Sequence, residues 1–353
     1  MSMKHKTRAW TRRQAIWLMT GLSGSLVLNA CQTRSQSTVS STSNAETTTS
    51  TKSISASSGS TLWIGYTPLY IALEKGFFQE AGLNLNHKDF SAASDLQAAF
   101  GAGRLDAIAL ATPAAVSLKA KSVDYRVVLV ADNSLGGDGI LARNSVTDIK
   151  DFKGKNIAVE IGEVSHFLLL QVLKDAGLSK NDVKITNATP DAAAIAYQAG
   201  RTDIAVTYSP FLQKANATQK DGRIIIDTAK MPTAIIDLYL FSTKFADINP
   251  AGVEGFNKGI FKAIGFMKTN KAEALAITGK RLQISPEEAE SQLKGVGLID
   301  LPTNLKMLGD AQSDIYLANH LKEVSEFLIE QKQISQPPDL TKVLAPKFLK
   351  TEA

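Results

Sequence analysis

A five-residue pattern occurs twice in this chain, at residues 102–106 (AGRLD) and 199–203 (AGRTD). Each copy follows a stretch with helical periodicity and precedes a short apolar run. Glycine is typical of the position after a helix, and a short apolar run is typical of a buried strand. The same helix-to-strand transition is therefore predicted twice, which indicates two similar α/β lobes.

Short apolar runs alternate with amphipathic stretches around both copies of the pattern. Around the first copy, strands are predicted at residues 62–66, 83–90, 106–110 and 125–131, and helices at 69–81, 94–101 and 113–120. Around the second, strands are predicted at 156–160, 183–186 and 203–207, and helices at 165–176 and 191–199. This alternating order predicts an α/β fold with mostly parallel sheets.

Two extended segments, residues 139–143 and 235–242, bracket the second run of strands. We expect the chain to cross between the lobes at both places, which makes them two crossover hinge segments. Lobe 1 is therefore predicted to comprise residues 61–142 plus 237–353, and lobe 2 residues 143–236. The end of lobe 1 is predicted to be helical, at residues 254–269, 271–278, 286–295, 304–317 and 321–331.

The N-terminus is typical of an exported protein. Five basic residues and no acid precede an apolar stretch at residues 15–28, which is too short to span a bilayer. We predict a signal peptide at residues 1–30. Arg12 and Arg13 also resemble a twin-arginine signal, so the Sec and twin-arginine export routes both stay open.

Cys31 is the only cysteine of the chain, and it follows Leu28, Asn29 and Ala30. These four residues resemble a bacterial lipobox, which implies that Cys31 is the lipid attachment site. No other cysteine is present to form a disulfide or a thiolate metal site. We therefore expect a lipid-anchored protein in the periplasm or on the outer face of the membrane.

Residues 31–60 are rich in Ser and Thr and contain few apolar residues. Such a segment buries too little apolar surface to offset its ordering entropy, which predicts a disordered tether. Five of the 39 Lys and Arg residues belong to the signal peptide, so the mature chain has 34 basic and 34 acidic side chains. This balance gives no indication of nucleic-acid binding.

Four blocks of sequence resemble one family in the same order. The blocks are residues 65–72, 74–78 with 81–83, 97–107, and 153–155 with 162–170. They resemble the nitrate/sulfonate/taurine (NitT/TauT) branch of ABC-transporter substrate-binding proteins. The resemblance implies a type II periplasmic binding protein that holds a small solute between two lobes. It also implies delivery of that solute to an ABC permease and its ATPase, by a monomer without a cofactor.

In α/β folds, solutes bind beyond the carboxyl ends of the strands, where helix N-termini present free N–H groups. Polar side chains at these ends are the predicted ligand-binding residues: Tyr66, Ser91, Ser94, Thr112, Asp132, Glu163, His166, Tyr208 and Asp237. Helix capping is an alternative role for Ser94 and His166. A core position is the alternative for the two tyrosines. Asp237 interrupts an apolar run, where an unpaired carboxylate is costly.

The charges of these segments bear on the solute. They contain no Lys or Arg, whereas they include Asp132, Glu163 and Asp237, with Asp138 and Glu160 nearby. The acids favour a small cationic or neutral nitrogen compound that is guanidinium-, amidine- or thiamine-precursor-like. A nitrate, sulfonate or taurine-type anion, as the resemblance implies, is the alternative.

An enzyme on the same fold, similar to a thiamine pyrimidine synthase, is a further alternative. Such an enzyme would need a reactive His or Lys in the cleft and a cysteine cluster. The chain has one cysteine and four histidines, with no metal-ligand spacing and no nucleophile motif. We therefore predict a binding protein that is not an enzyme and has no metal site.

Overall fold

The computed structural model describes residues 53–350, and two β-sheets organise this part of the chain. The strands are Ile54–Thr61 (β1), Leu83–Phe90 (β2), Ala107–Ala111 (β3), Tyr125–Ser134 (β4), Asp138–Ala142 (β5), Asn156–Val159 (β6), Lys184–Asn187 (β7), Ile204–Tyr208 (β8), Arg223–Asp227 (β9), Ile236–Ser242 (β10) and Val296–Leu298 (β11). The first sheet has the order β11-β4-β10-β3-β1-β2, and the second has the order β7-β6-β8-β5-β9. Two sheets confirm the prediction of two α/β lobes.

Helices connect the strands and cover the sheets. They are Thr67–Glu74 (α1), Phe77–Glu80 (α2), Ala93–Gly101 (α3), Thr112–Ala120 (α4), Val164–Asp175 (α5), Pro190–Gln198 (α6), Phe211–Thr218 (α7), Thr243–Ile248 (α8), Pro250–Thr269 (α9), Lys271–Leu282 (α10), Pro286–Leu293 (α11), Leu301–Gly309 (α12) and Leu317–Glu330 (α13). Between residues 53 and 350, no helix has the length and apolar character that a bilayer crossing requires.

The strands mostly share one direction, but the pairing between them is mixed. In the first sheet β1 pairs parallel with β2 and β3, while β10 pairs antiparallel with both β3 and β4. In the second sheet β6 pairs parallel with β7 and β8, while β5 pairs antiparallel with β8 and β9. Most strands therefore point in one direction, as predicted, but many neighbouring strands are antiparallel. The strands that run in the opposite direction are β10 and the edge strand β11 in the first sheet, and β5 in the second.

The predicted tether is wrong over residues 54–60, which form β1. This strand pairs with β2 along its whole length. Its inward hydroxyls are satisfied by one histidine, since Ser58 Oγ lies 2.9 Å from His87 Nδ1 and Ser60 Oγ lies 3.2 Å from His87 Nε2. A buried strand made of Ser, Gly and Ala therefore looks like a linker in the sequence. The signal peptide, Cys31 and the rest of the tether lie outside the described residues.

Other element predictions also differ from the structure. The strand predicted at 62–66 is wrong, because residues 64–66 form a 3₁₀ turn that leads into α1. The helix predicted at 304–317 ends at Gly309. The predicted boundary of lobe 1 at residue 142 cuts off β5, which pairs with β8 in the second sheet. The sheets therefore divide between Ser134 and Asp138.

An aromatic cluster joins α9 to the first sheet. The ring of Phe256 stacks on Phe78 with 5.2 Å between centroids, and it meets Tyr239 and Phe241 edge-on at 5.1 and 5.3 Å. Gly259 allows this approach, since a Cβ there would lie 2.5 Å from the Phe78 ring. Tyr239 and Phe241 belong to β10, so the cluster holds in place one of the two crossover strands.

Replacing Phe256 by Ala should destabilise the protein by about 3–5 kcal/mol, because a buried ring is lost and a cavity remains. Equilibrium urea unfolding of the full-length chain measures this change. The matched control is Ile195→Ala on α6, where the side chain is 52% exposed and the expected change is within about 0.5 kcal/mol. Equal losses in both variants would show that the cluster has no special role.

Candidate functional site

A small cavity lies between the two sheets. Both sheets and their following loops contribute to its walls, as the prediction of an interlobe site requires. Its lining consists of Thr61, Trp63, Tyr66, Ala93, Ala109, Leu110, Ala111, Ala114 and Asp237 from the first sheet and its connections, and Asp138, Glu160, Glu163, Val164 and Tyr208 from the second.

The polar part of this lining is dominated by carboxyl groups. Asp138, Glu160, Glu163 and Asp237 line the cavity, and Asp132 lies directly behind it; all five are at most 7% exposed. Within residues 53–350, none of the five forms an ion pair with Lys or Arg, and no Lys or Arg lines the cavity. Such a set of buried acids is costly when ionised.

Burial shifts the titration of these groups toward neutral pH. It raises the pKa of Asp138 and of Glu160 to about 7. The pKa of Glu163 rises to about 8, because the neighbouring Glu160 adds to the effect of burial. The pKa of Asp237 rises only to about 6, since a tyrosine hydroxyl donates to its carboxylate. The cavity therefore holds both protonated and ionised carboxyls near neutral pH.

Two aromatic side chains hold the deepest pair of acids. Asp132 and Asp237 are register partners on the adjacent strands β4 and β10. Trp63 Nε1 donates to both oxygens of Asp132 at 3.1 and 3.3 Å, and Tyr66 Oη donates to Asp237 Oδ1 at 2.6 Å. Gly65 makes this possible, because a Cβ there would lie 2.4 Å from Asp132 Oδ2. The turn after β1 thus supplies one donor to each acid.

Trp63 and Tyr208 form an aromatic wall that spans the two sheets. Their ring centroids are 5.8 Å apart in an edge-to-face arrangement. Tyr208 is the last residue of β8 and the register partner of Asp138 on β5. Gly137 lies against the indole, where a Cβ would come within 2.3 Å of the ring. An aromatic wall beside carboxylates suits a flat or cationic group.

Two glutamates of the second sheet reach across the cavity to α3. Glu160 Oε1 accepts from the Ala93 N–H at 2.9 Å. The Gln97 side-chain amide donates to both oxygens of Glu163, at 2.8 and 2.7 Å. Ala93 and Gln97 are four residues apart and so lie on one face of the helix. One face of α3 therefore contacts the loop that follows β6.

The structure brings together four of the nine predicted ligand-binding residues. Tyr66, Glu163, Tyr208 and Asp237 line the cavity, and Asp132 lies one layer behind them. The other four residues do not line it: Ser91, Ser94, Thr112 and His166.

Local contacts explain these four exceptions. The side chains of Ser91 and Ser94 are exposed, and neither of them caps α3, whose N-cap is Ala92. The hydroxyl of Thr112 lies 3.1 Å from His320 Nε2, on the side of α13. The Nδ1 atom of His166 accepts from the Gly162 N–H at 3.2 Å. The pKa of His166 is lowered to about 4, because burial disfavours the charged imidazolium.

The ligand-binding residues predicted from the sequence do not include Trp63. Asp138 and Glu160 are predicted only as acids near the site. Trp63 was assigned to a strand interior, whereas β1 ends at Thr61 and the indole follows it at the cavity. With the strand ending at Thr61, Trp63 lies beyond a strand end and its indole N–H is a polar group there, so the same rule would include it.

The first turn of α5 offers neutral hydrogen-bond donors. Val164, its first residue, lines the cavity. The hydroxyl of Ser165 is buried and has no hydrogen-bond partner among residues 53–350. Free N–H groups and a hydroxyl at a helix N-terminus suit an anion. Within the same residues, no group of three or more His, Cys, Asp or Glu could hold a metal ion.

The chain is similar to known solute-binding proteins. A family model described as "NMT1/THI5 like" matches residues 63–274. A Bacillus subtilis (strain 168) protein, assigned by name to aliphatic sulfonate binding, is 28% identical over 294 residues, which cover 80% of this chain and 84% of the relative. The taurine-binding periplasmic protein of Escherichia coli (strain K12) is 26% identical over 192 residues, which cover 53% of this chain and 58% of the relative.

A solved structure has the same fold. It is the alkanesulfonate-binding protein SsuA of Xanthomonas axonopodis pv. citri bound to MOPS, with a TM-score of 0.67 and 18% identity. The likeness covers 83% of this chain and 97% of that one. It confirms the two-lobe periplasmic binding fold that the sequence predicts.

The buried acids should make the protein less stable as pH rises from 6.5 to 8.5. Their pKa values are higher in the folded chain than in the unfolded one, so the folded state binds more protons, and stability is lost as pH rises through the folded pKa. Each group contributes up to about 1.4 kcal/mol per pH unit while it titrates. His166 and His320, whose pKa values fall to about 4, oppose this trend from there up through their ordinary pKa, because the unfolded state binds more protons in that window. Their effect fades above that pKa, where the acids continue to titrate.

Thermal unfolding of the full-length chain at pH 6.5, 7.5 and 8.5 measures the effect. The Glu163→Gln variant should show a smaller fall in melting temperature than the native protein. The control is Glu323→Gln, at an exposed position on α13, which should keep the native slope. A melting temperature that rises with pH in the native protein would contradict the assignment.

Proposed function

Because the chain belongs to the NMT1/THI5-like family, we propose that it is the solute-binding component of an ABC importer. The resemblance to nitrate/sulfonate/taurine-binding proteins is thereby confirmed. The observation that carries the proposal is the cavity between the sheets, whose walls come from both lobes. A solute that contacts both lobes at once favours the closed form, which a permease then recognises.

The names of the relatives support a sulfonate or taurine-type solute, which is the alternative that the family resemblance implies. They lend no support to a purely cationic nitrogen compound. The acids of this chain narrow the sulfonate class to solutes that also carry a protonated nitrogen. Taurine, with one ammonium and one sulfonate, is a small member of that group.

The carboxyl groups of the cavity explain why a protonated nitrogen on the solute would favour binding. A sulfonate is ionised at every physiological pH, and in this cavity it lies among carboxyls with no Lys or Arg in the described lining. An ammonium on the same solute offsets this repulsion by binding Asp237 or Asp138. The sulfonate then binds at the first turn of α5, where the Ser165 hydroxyl is free.

A nitrogen cation without a sulfonate is the second candidate. Four carboxyl groups in the lining, and no basic side chain among its described residues, favour it. Guanidinium and amidines would fit between carboxylates and the wall formed by Trp63 and Tyr208. The enzyme alternative is weaker, since the described lining contains no His, Lys or Cys.

The proposal includes the export features of the sequence. The signal peptide at residues 1–30 and lipidated Cys31 would keep the protein at the membrane, close to a permease and its ATPase. The E. coli relative is periplasmic by name, which agrees with export. A monomer suits this role, because the site is formed by the two lobes of one chain.

A matched series of solutes tests the proposal. We expect taurine to raise the melting temperature of the full-length protein, since a ligand at 100 times its Kd adds about 2.7 kcal/mol. Ethanesulfonate lacks the nitrogen and ethylamine lacks the sulfonate, and each should bind at least tenfold more weakly by calorimetry. Guanidinium, nitrate and bicarbonate complete the series.

The Asp237→Asn variant is the protein-side control. Asn keeps an oxygen to accept from Tyr66 Oη but loses the charge, so taurine should bind at least tenfold more weakly while the fold stays intact. Binding of guanidinium alone would establish the second candidate. Equal binding of taurine and ethanesulfonate would show that the acids do not bind the ammonium, and no binding of any solute would count against the proposed class.

A further inference from the structure

One carboxylate of the second lobe occupies a helix N-terminus of the first. Ala93 is the first residue of α3, and its nitrogen lies 2.9 Å from Glu160 Oε1. The Ser94 amide also contributes to this contact. The Glu160 side chain is 6% exposed and has no basic partner among residues 53–350. The main-chain N–H groups are therefore its polar partners.

This position is a wall of the solute cavity. Ala93 and Glu160 both line it. The first N–H groups of a helix have no partner within the helix and attract anions. In this protein a side chain of the chain itself takes that place, and it comes from the opposite lobe. An anionic group of a solute that approached α3 would have to displace Glu160.

We propose that Glu160 is a tethered anion that determines specificity by filling the amide site of α3. It excludes sulfonate, carboxylate or sulfate groups from that end of the cavity and directs the anionic part of a solute elsewhere. The inference rests on the proposed function, since it takes the interlobe cavity as the solute site. It concerns selectivity among solutes and does not depend on taurine being the solute.

Glu163 provides an internal comparison for this role. It lies in the same cavity and contacts the same helix, but it bonds to the Gln97 side chain and to no N–H group at the start of α3. Removing either glutamate removes one acid from the cavity. Only the loss of Glu160 uncovers the amides. Comparing the removal of Glu160 with the removal of Glu163 therefore distinguishes the effect of an uncovered amide site from the effect of one acid fewer in the cavity.

Three variants of the full-length protein test the proposal with ethanesulfonate and sulfate as probes. In Glu160→Ala the amides are free, and we expect the affinity for both anions, measured by calorimetry, to rise at least tenfold. In Glu160→Gln the amide oxygen can still accept from Ala93, so the affinity should stay within threefold of the native value. Glu163→Ala should also stay within threefold.

The proposal is wrong if Glu160→Ala gains no affinity for either anion. It is also wrong if Glu160→Gln or Glu163→Ala gains as much, since charge alone would then explain the change. Circular dichroism checks that each variant folds, and Glu160→Ser replaces the alanine variant if that one does not. Failure of taurine to bind the native protein would overturn the proposed solute, whereas the comparison among these variants would be unaffected.

Discussion

The burial of five carboxyl groups without a basic partner in the described residues is the constraint on which the site depends. Four of these acids accept a hydrogen bond from a neutral donor. Trp63 donates to Asp132, Tyr66 donates to Asp237, and main-chain or amide N–H groups of α3 donate to Glu160 and Glu163. Neutral donors lower the cost of burial without cancelling the charge. The cavity therefore keeps a negative potential that a solute with a positive group can use.

The two crossover strands explain why the acids converge. β5 begins with Asp138, and Asp237 is the second residue of β10. Both strands are antiparallel to their neighbours, and both start where the chain passes from one lobe to the other. Their first residues therefore lie at the cavity, close enough for the charge of Asp237 to raise the pKa of Asp138. The crossing that makes a hinge also builds the site.

Much of the fold could be predicted from the sequence, and the errors have physical causes. Strand β2 and helices α3, α4, α5 and α6 were placed within one or two residues, because their apolar periodicity and terminal glycines are local signals. Strand β1 resembles a linker in sequence, because its Ser and Gly residues form no apolar pattern and its buried hydroxyls find their partner, His87, only in the folded sheet. The helix predicted at 304–317 is too long, because it continues past the terminating Gly309 and includes Leu317, which begins the next helix.

The sequence by itself determined the class of protein, the two-lobe α/β architecture and the acidic character of the cleft, because these depend on local pattern and on the kinds of side chain present. Only the tertiary structure decided which acids meet, since Glu160 and Ala93 are 67 residues apart and Tyr66 and Asp237 are 171 apart. It also placed Trp63 at the cavity and turned Thr112 and His166 away from it. Such contacts arise from how two sheets pack together, and no local pattern encodes them.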